Sequence, residues 1–350
     1  MVNHVEITRF LDLAGSCPIL DVRSPSEYSH AHIPGAISFP IFSDDERKII
    51  GTTYKQVGRE PAIKEGLDFF GPKMRHLVAQ AEAVTAAHAV EAGSKQVLVH
   101  CWRGGMRSGA MAWLLDLYGF KVSLLTGGYK AFRNWVLDTC DQPAPLRVLG
   151  GYTGSGKTEL LHTVAQNGGA VLDLEALANH KGSAFGGDPG LQPSQEMFEN
   201  LLAVAMHRTQ IARTGQTVWL EDESRRIGDI NLPLRFFERL RNSQVYFLEV
   251  PFDARLDHIL TDYAEVPLPE LIECTLRIRK RLGGLATKET VAYLETGDRR
   301  SAFAILLNYY DKYYGKGISE RRESSVEVVG IPCAVAGAAN FEALMEVVGC

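Results

Sequence analysis

Two short stretches of the chain carry residue types that do chemistry. In His100-Cys101-Trp102-Arg103-Gly104-Gly105-Met106-Arg107-Ser108, a cysteine leaves the apolar run Gln96–Val99. It enters a loop with two adjacent glycines, and a helix-patterned segment follows. Glycines let successive backbone N–H groups turn inward, and a helix N-terminus adds partial positive charge. Arg103 and Arg107 add full charges. All three effects favour thiolate over thiol, and the thiolate is the nucleophile. The cradle formed by Trp102, Arg103, Gly104, Gly105, Met106 and Arg107 would also stabilise a terminal persulfide or perselenide anion. A cysteine without such surroundings is ordinarily a small buried hydrophobe. Cys17, Cys140, Cys274, Cys333 and Cys350 read that way.

The second stretch is Gly151-Tyr152-Thr153-Gly154-Ser155-Gly156-Lys157-Thr158, which fits G-x-x-x-x-G-K-[ST] without a mismatch. It follows the strand-like Leu146–Gly150 and opens a helical pattern, the context this motif requires. The backbone from Gly151 through Thr153, Gly154, Ser155 and Gly156 would wrap a di- or triphosphate. Lys157 would meet the outer oxygens, and Thr158 could hold Mg²⁺. The strand-like Thr217–Leu220 ends in Glu221-Asp222-Glu223-Ser224. Acids at the end of such a strand suit a metal-holding element, with Asp222 the first choice and Glu221 the second. Asp173 and Glu175, at the end of another strand, are weaker candidates. A phosphate loop does not by itself distinguish ATP from another diphosphate, and no strong base-reading motif accompanies it.

The elements that must position these residues divide into two regions. Asp141-Gln142-Pro143-Ala144-Pro145 is a proline-punctuated boundary, giving domains 1–143 and 144–350. In the first, short apolar strands at 18–22, 96–100 and 121–125 alternate with helical patterns, including a long one over 62–91 and one over 108–118. That alternation implies a parallel sheet covered on both faces. The second region is also α/β, with strands near 146–150, 170–174, 217–221 and 245–250. Helices are expected at 195–214, 233–241, 253–263, 268–281, 288–295 and 301–314. The fold class is therefore α/β in both domains, with a helix-rich C-terminal part.

Composition narrows the function classes. Across 350 residues, hydrophobics are 45% and charged residues 23%, the balance of a soluble globular protein rather than a disordered or fibrous one. Net charge is −5, from 37 Lys+Arg against 42 Asp+Glu, so the whole chain is not a polybasic nucleic-acid binder. Between Arg225 and Arg322, however, 17 basic residues meet 14 acidic ones, which permits a polyanionic partner there. No C-x-x-C pair, signal-peptide pattern or uninterrupted apolar span of about 18 residues occurs. Free thiols in a cytoplasmic protein without a membrane span are expected.

The segments Asp21–Tyr28, His32–Ala36, Cys101–Ser108 and Gly127-Gly128-Tyr129 resemble a rhodanese domain over most of residues 1–140. That resemblance places Cys101 at the position that carries sulfur or selenium. The segment 43–66 is longer than a minimal rhodanese needs. With Gly51–Gly58, Asn179–Gly186, Gln192–Gln195, Phe198–Asn200 and Glu221–Gly228, nearly the whole chain resembles the bacterial tRNA 2-selenouridine synthase family. The resemblance implies exchange of selenium for sulfur on the wobble 2-thiouridine of tRNA. Selenophosphate, supplied by its synthase, would be the donor, and an S-geranyl group would come from geranyl diphosphate. No tightly bound cofactor is implied, and a Mg²⁺ requirement stays open.

A tRNA surface is expected in the helical region 250–322. Arg277, Lys280 and Arg281 fall at i, i+3 and i+4, hence on one helix face. Arg299 and Arg300 follow Gly297-Asp298, and Tyr309, Tyr310, Tyr313 and Tyr314 surround Lys312, offering stacking surfaces beside charge. Solvated arginines and core tyrosines are the plainer alternatives. Two other functions remain compatible at this point: a rhodanese-type sulfurtransferase with an ATPase-like regulatory domain, and a non-catalytic phosphate-binding module.

Overall fold

The computed structural model describes residues 2–88, 95–180, 192–209, 217–323 and 326–349. The Lys181–Gly186 part of one resembling segment, the end of the helix expected at 195–214, and the Tyr313 side chain lie outside the described residues. Two compact units are present. One comprises Met1–Thr139 with Glu199–Leu201, the other Cys140–Phe198 with Leu202–Cys350.

In the first unit the elements run β1 (Asn3–Val5), α1 (Ile7–Leu13), β2 (Ile19–Asp21), α2 (Pro25–His30), β3 (Ala36–Ser38), α3 (Asp44–Gln56), α4 (Arg59–Phe70), α5 (Met74–His88), β4 (Gln96–His100), α6 (Met106–Leu117), β5 (Lys121–Leu125) and α7 (Gly128–Asp141). The five strands form one sheet in the order β1-β5-β4-β2-β3, every pair parallel. Leu20, Val97, Val99, Val122 and Leu124 are buried in a core with Met111 and Leu115 of α6 and Leu77 and Ala81 of α5. The expected helix over 62–91 is broken at Gly71–Lys73, a single 3₁₀ turn, because Pro72 has no N–H to continue an α-helical ladder. The extra length at 43–66 is helical. Ser43 and Glu46 form a reciprocal capping box that starts α3. α7, which sequence periodicity did not single out, begins on the glycine pair Gly127-Gly128.

A buried ion pair sits behind this sheet's ligand edge. Arg23 donates to the Asp21 carboxylate at 2.6–3.0 Å and to Ala31 O at 2.8 Å. Its guanidinium lies 3.8 Å from the centre of the Tyr129 ring. Both charged side chains are at most 1% exposed.

The second unit continues with β6 (Leu146–Gly151), α8 (Lys157–Gln166), β7 (Ala170–Val171), α9 (Leu174–Ala178), α10 (Gln195–Arg208), β8 (Val218–Glu221), β9 (Arg226–Ile227), β10 (Ile230–Asn231), α11 (Leu234–Asn242), β11 (Val245–Glu249), α12 (Phe252–Asp262), α13 (Leu268–Arg277), α14 (Arg279–Leu282), α15 (Gly284–Glu295), α16 (Arg299–Glu323), β12 (Val328–Pro332) and α17 (Phe341–Val348). Its main sheet has the order β12-β11-β6-β8-β7, again all parallel. β6 is central, so the loop after it opens at the carboxyl edge of the sheet, where α/β folds bind ligands. The helices α12, α13, α15 and α16 share a separate core that includes Leu256, Leu271, Leu294, Phe303 and Leu306.

The Arg23–Asp21 pair gives a direct stability test. Arg23→Ala leaves a buried carboxylate unpaired and should destabilise the chain by about 3–5 kcal/mol. Urea unfolding measures it, and a loss below about 1 kcal/mol, the range of an exposed pair, would show that the bridge is not buried.

Candidate functional site

Cys101 follows β4 directly and is only 3% exposed. Its Sγ lies 3.1 Å from the Ser108 hydroxyl. The loop is held from behind by α7: Tyr129 N–H donates to Cys101 O at 2.8 Å and Lys130 N–H to Trp102 O at 2.9 Å. This close approach explains Gly128. It has φ +60°, and a Cβ there would stand 2.4 Å from Cys101 O, closer than real contacts allow. With the loop carbonyls occupied, its N–H groups are left to face the sulfur. Burial pushes the thiol up, but hydrogen bonds from the Ser108 side chain, the Ser108 and Arg103 N–H groups and the Arg107 charge outweigh it. The net direction is down, toward thiolate. Trp102 and Met106, 40% and 53% exposed, form an open apolar rim, and Arg103 is exposed beside them.

Arg107 is not a loose charge. It donates to both oxygens of Glu27, at 2.6 and 3.3 Å. Glu27 is also held by Arg47 at 3.0 Å and by the Ser24 N–H at 3.1 Å. Burial raises the Glu27 carboxyl, but these partners, Arg107 first, bring it down to about 2. The carboxylate thus fixes Arg107 near the sulfur. Glu27 heads no motif of its own, and its part in the site was not singled out from the sequence.

The phosphate loop is also held from behind. Lys157 Nζ donates to Gly151 O at 3.2 Å, and Gly337 N–H donates to Ser155 O at 3.1 Å. Gly156, with φ +71°, packs so closely on Gly337 that a Cβ would stand 2.3 Å from its backbone. Arg255, buried on α12, donates to Thr153 O at 3.1 Å and makes a bidentate pair with Asp311 of α16 at 2.8 Å. Neither Arg255 nor Gly337 is adjacent to the motif in sequence. Only the fold brings them there.

The acids rearrange the expected order. Thr158 donates to Glu221 Oε1 at 2.6 Å, so Glu221, and not Asp222, meets the hydroxyl of the motif. Asp222 pairs with Arg321 and lies 3.7 Å from Arg241, which commits its charge elsewhere. Asp173 caps α9 through the Ala176 N–H at 2.8 Å and contacts His162 at 3.0 Å, so it too is taken up structurally. Glu175, Glu221 and Glu223 instead bring carboxylate oxygens within 4.8 Å of one another. Burial first, then repulsion from Glu221, raises Glu175 to about 7 against the pull of Lys157. Burial and both neighbours push Glu223 well up as well. Three hard oxygen donors this close together are a donor set suited to Mg²⁺.

These groups line a cavity of about 650 Å³ with Lys157, Thr158, Arg281, Tyr309, Tyr310 and Tyr314. Three of the tyrosines grouped around Lys312 therefore face the phosphate loop. Lys157 Nζ lies 5.7 Å from the centre of the Tyr314 ring.

The basic residues expected to share one helix face do not. The helix ends at Arg277 and restarts at Arg279, with Ile278 between them at φ −92° and ψ 2°. Arg277 pairs with Glu273 at 3.0 Å, while Lys280 is exposed and Arg281 turns to the cavity. Arg299 donates to the carbonyls of Tyr263, Ala264 and Val266 at 2.7–3.0 Å. It closes the chain after α12 instead of offering its fork to a phosphate. Arg300 pairs with Asp257 and lies 3.6 Å from Asp253.

The folds and sites define a class: a rhodanese-like domain with a loop cysteine, joined in one chain to a P-loop α/β domain. A family model for the rhodanese-like domain matches residues 7–134. One described as "tRNA 2-selenouridine synthase AAA domain" matches residues 144–339. A tRNA 2-selenouridine synthase of Nitrosomonas europaea is 40% identical over 303 residues, covering 85% of this chain and 74% of that one. Another, of Hydrogenovibrio crunogenus, is 32% identical over 360 residues and covers 94% of each. A third, of Azotobacter vinelandii, is 35% identical over 343 residues, with 89% of each covered. The chain belongs to the tRNA 2-selenouridine synthase family, a family of tRNA-modifying enzymes. Among the described residues no helix is long and apolar enough to cross a membrane.

The lowered thiol is testable on the intact protein. Alkylation of Cys101 by iodoacetamide, followed by peptide mass spectrometry across pH, should show a midpoint below that of an ordinary cysteine. Ser108→Ala should raise that midpoint by roughly one pH unit, about 1.4 kcal/mol for a hydrogen bond to a charged sulfur. An unmoved midpoint would mean that the hydroxyl does not hold the thiolate.

Proposed function

We propose that this protein converts the wobble 2-thiouridine of tRNA to 2-selenouridine in the cytoplasm, in two steps, each run by one of its anion cradles. The observation that carries this reading is the pairing, in one chain of this family, of a complete phosphate loop with a cysteine whose loop favours the anion. In the first step the sulfur of 2-thiouridine bonds to C1 of geranyl diphosphate, the C1–O bond breaks, and diphosphate leaves as the base loses its N3 proton. Diphosphate is the group the loop Gly151–Thr158 is built to hold, and Lys157 stabilises its growing charge. In the second step the selenium of selenophosphate bonds to C2, the C2–S bond breaks and geranyl thiolate departs. Water then cleaves the P–Se bond to phosphate. Alkylation matters because a thiocarbonyl sulfur is a poor leaving group and a thiolate a better one.

Cys101 serves the selenium step, where its loop accommodates an anionic chalcogen. Thr158, Glu221, Glu175 and Glu223 are the residues that would hold Mg²⁺. That ion, when bound, would neutralise part of the diphosphate charge. The selenophosphate comes from the synthase that makes it, and the tRNA contacts fall to Lys280 and Arg281 before the committed Arg277, Arg299 and Arg300. No tightly bound cofactor is needed by this chemistry.

The test is nucleoside mass spectrometry of tRNA incubated with geranyl diphosphate and selenophosphate. Cys101→Ala should accumulate S-geranyl-2-thiouridine and form little 2-selenouridine. Lys157→Ala should slow geranylation by about 10²-fold or more, the scale of losing one charge-stabilising group. Equal loss of both products in Cys101→Ala, or an unchanged geranylation rate in Lys157→Ala, would refute the assignment. Thiosulfate-to-cyanide sulfur transfer together with ATP hydrolysis, both without tRNA, would favour the sulfurtransferase instead.

A further inference from the structure

Beside the phosphate-loop cavity lies a second one of about 470 Å³, within the ~300–1,000 Å³ range of small-molecule sites. Its walls come from three successive helices: Leu282 of α14, Ala286 of α15, and Ile305 and Tyr309 of α16, with Arg281 and Lys312 also lining it. Ile305, Tyr309 and Lys312 stand at i, i+4 and i+7, so they share one face of α16. Arg281 and Tyr309 line both cavities, which makes the two spaces neighbours with a common wall of one cation and one aromatic ring.

The two spaces differ in chemistry. The larger one carries Lys157, Glu175, Glu221, Asp222, Glu223 and Arg241 beside Ile259, Tyr263, Tyr310 and Tyr314, and an apolar chain placed among the charged groups would displace their hydration without replacing it. The smaller one offers the aliphatic and aromatic carbon of Leu282, Ala286, Ile305 and Tyr309, edged by the polar Arg281, Asn308 and Lys312. Its floor is fixed, because Leu282 and Tyr309 pack against the buried core of Leu256, Leu271, Leu294 and Phe303. A preformed apolar hollow next to a phosphate cradle fits a ligand that is a diphosphate at one end and hydrocarbon at the other.

We propose that the hollow formed by Leu282, Ala286, Ile305 and Tyr309 binds the prenyl tail of the allylic diphosphate whose phosphates sit in the Gly151–Thr158 loop. This rests on the reading of that loop as the geranyl diphosphate site and adds where the tail goes and which side chains measure it.

The experiment is calorimetric titration of the full chain with inorganic diphosphate, geranyl diphosphate and ATP, in the wild type, Ala286→Phe and Ile305→Thr. The first variant fills the hollow and the second makes its wall polar. The wild type should bind geranyl diphosphate at least about tenfold tighter than inorganic diphosphate, a gap of about 1.4 kcal/mol. Each variant should erase most of that gap while changing the affinity for inorganic diphosphate less than about twofold. That unchanged affinity also reports that the variant is folded. A gap that survives in both variants, or none in the wild type, would overturn the assignment while leaving the phosphate loop's role intact. Loss of ATP affinity without loss of the geranyl advantage would make the hollow a base pocket and overturn it too. If the wild type binds neither diphosphate, the reading of the loop fails first, and this inference falls with it.

Discussion

Both sites depend on one constraint: a turn can offer its N–H groups to an anion only if something else occupies its carbonyls. A short glycine loop left to itself has many conformations, and ordering it costs on the order of 1–2 kcal/mol per residue. This protein meets that cost twice in the same way. At the cysteine loop, the first turn of α7 donates to the carbonyls of Cys101 and Trp102. At the phosphate loop, Lys157, Arg255 and Gly337 donate to those of Gly151, Thr153 and Ser155. Apart from Lys157, which lines the cavity itself, the donors come from behind, and the N–H face is left for the ligand.

The constraint explains residues that have no chemistry of their own. Gly128 and Gly156 are positions where a backbone passes too near for any Cβ. Asp311 holds Arg255, and Glu27 holds Arg107, so each arginine stands in one place. Such support turns a charge into an oriented one, which is what catalysis by preorganised groups requires. The crowding of Glu175, Glu221 and Glu223 runs the other way. Burial and mutual repulsion raise the carboxyls of Glu175 and Glu223 beside Thr158, so that positive charge brought among them is favoured.

What the sequence made legible was what is contiguous in it. The cysteine loop and the phosphate loop are each one unbroken stretch, and their strand–turn–helix setting follows from local patterning. Both α/β domains were readable for the same reason. The order of the acids was not. Residues two apart at the end of a strand share a side, so Glu221 and Glu223 group together, while Asp222 between them pairs with Arg321. Nothing local says which side meets Thr158. The break at Ile278 was hidden because the Arg277–Arg281 pattern has no proline, and glycine enters only at Gly283. Arg299 looked available for a phosphate because the carbonyls it caps lie more than 30 residues earlier in the chain. Arg255 and Gly337 reach the phosphate loop across about 100 and 180 residues, a placement that only tertiary structure supplies.

The two cradles divide the labour, and a bypass experiment separates them. tRNA that already carries S-geranyl-2-thiouridine is given with selenophosphate to the full-length protein, and 2-selenouridine formation is followed in a single turnover. Lys157→Ala should convert this tRNA at close to the wild-type rate, because its step has been supplied, whereas Cys101→Ala should not. Conversion that fails in Lys157→Ala as completely as in Cys101→Ala would contradict that division.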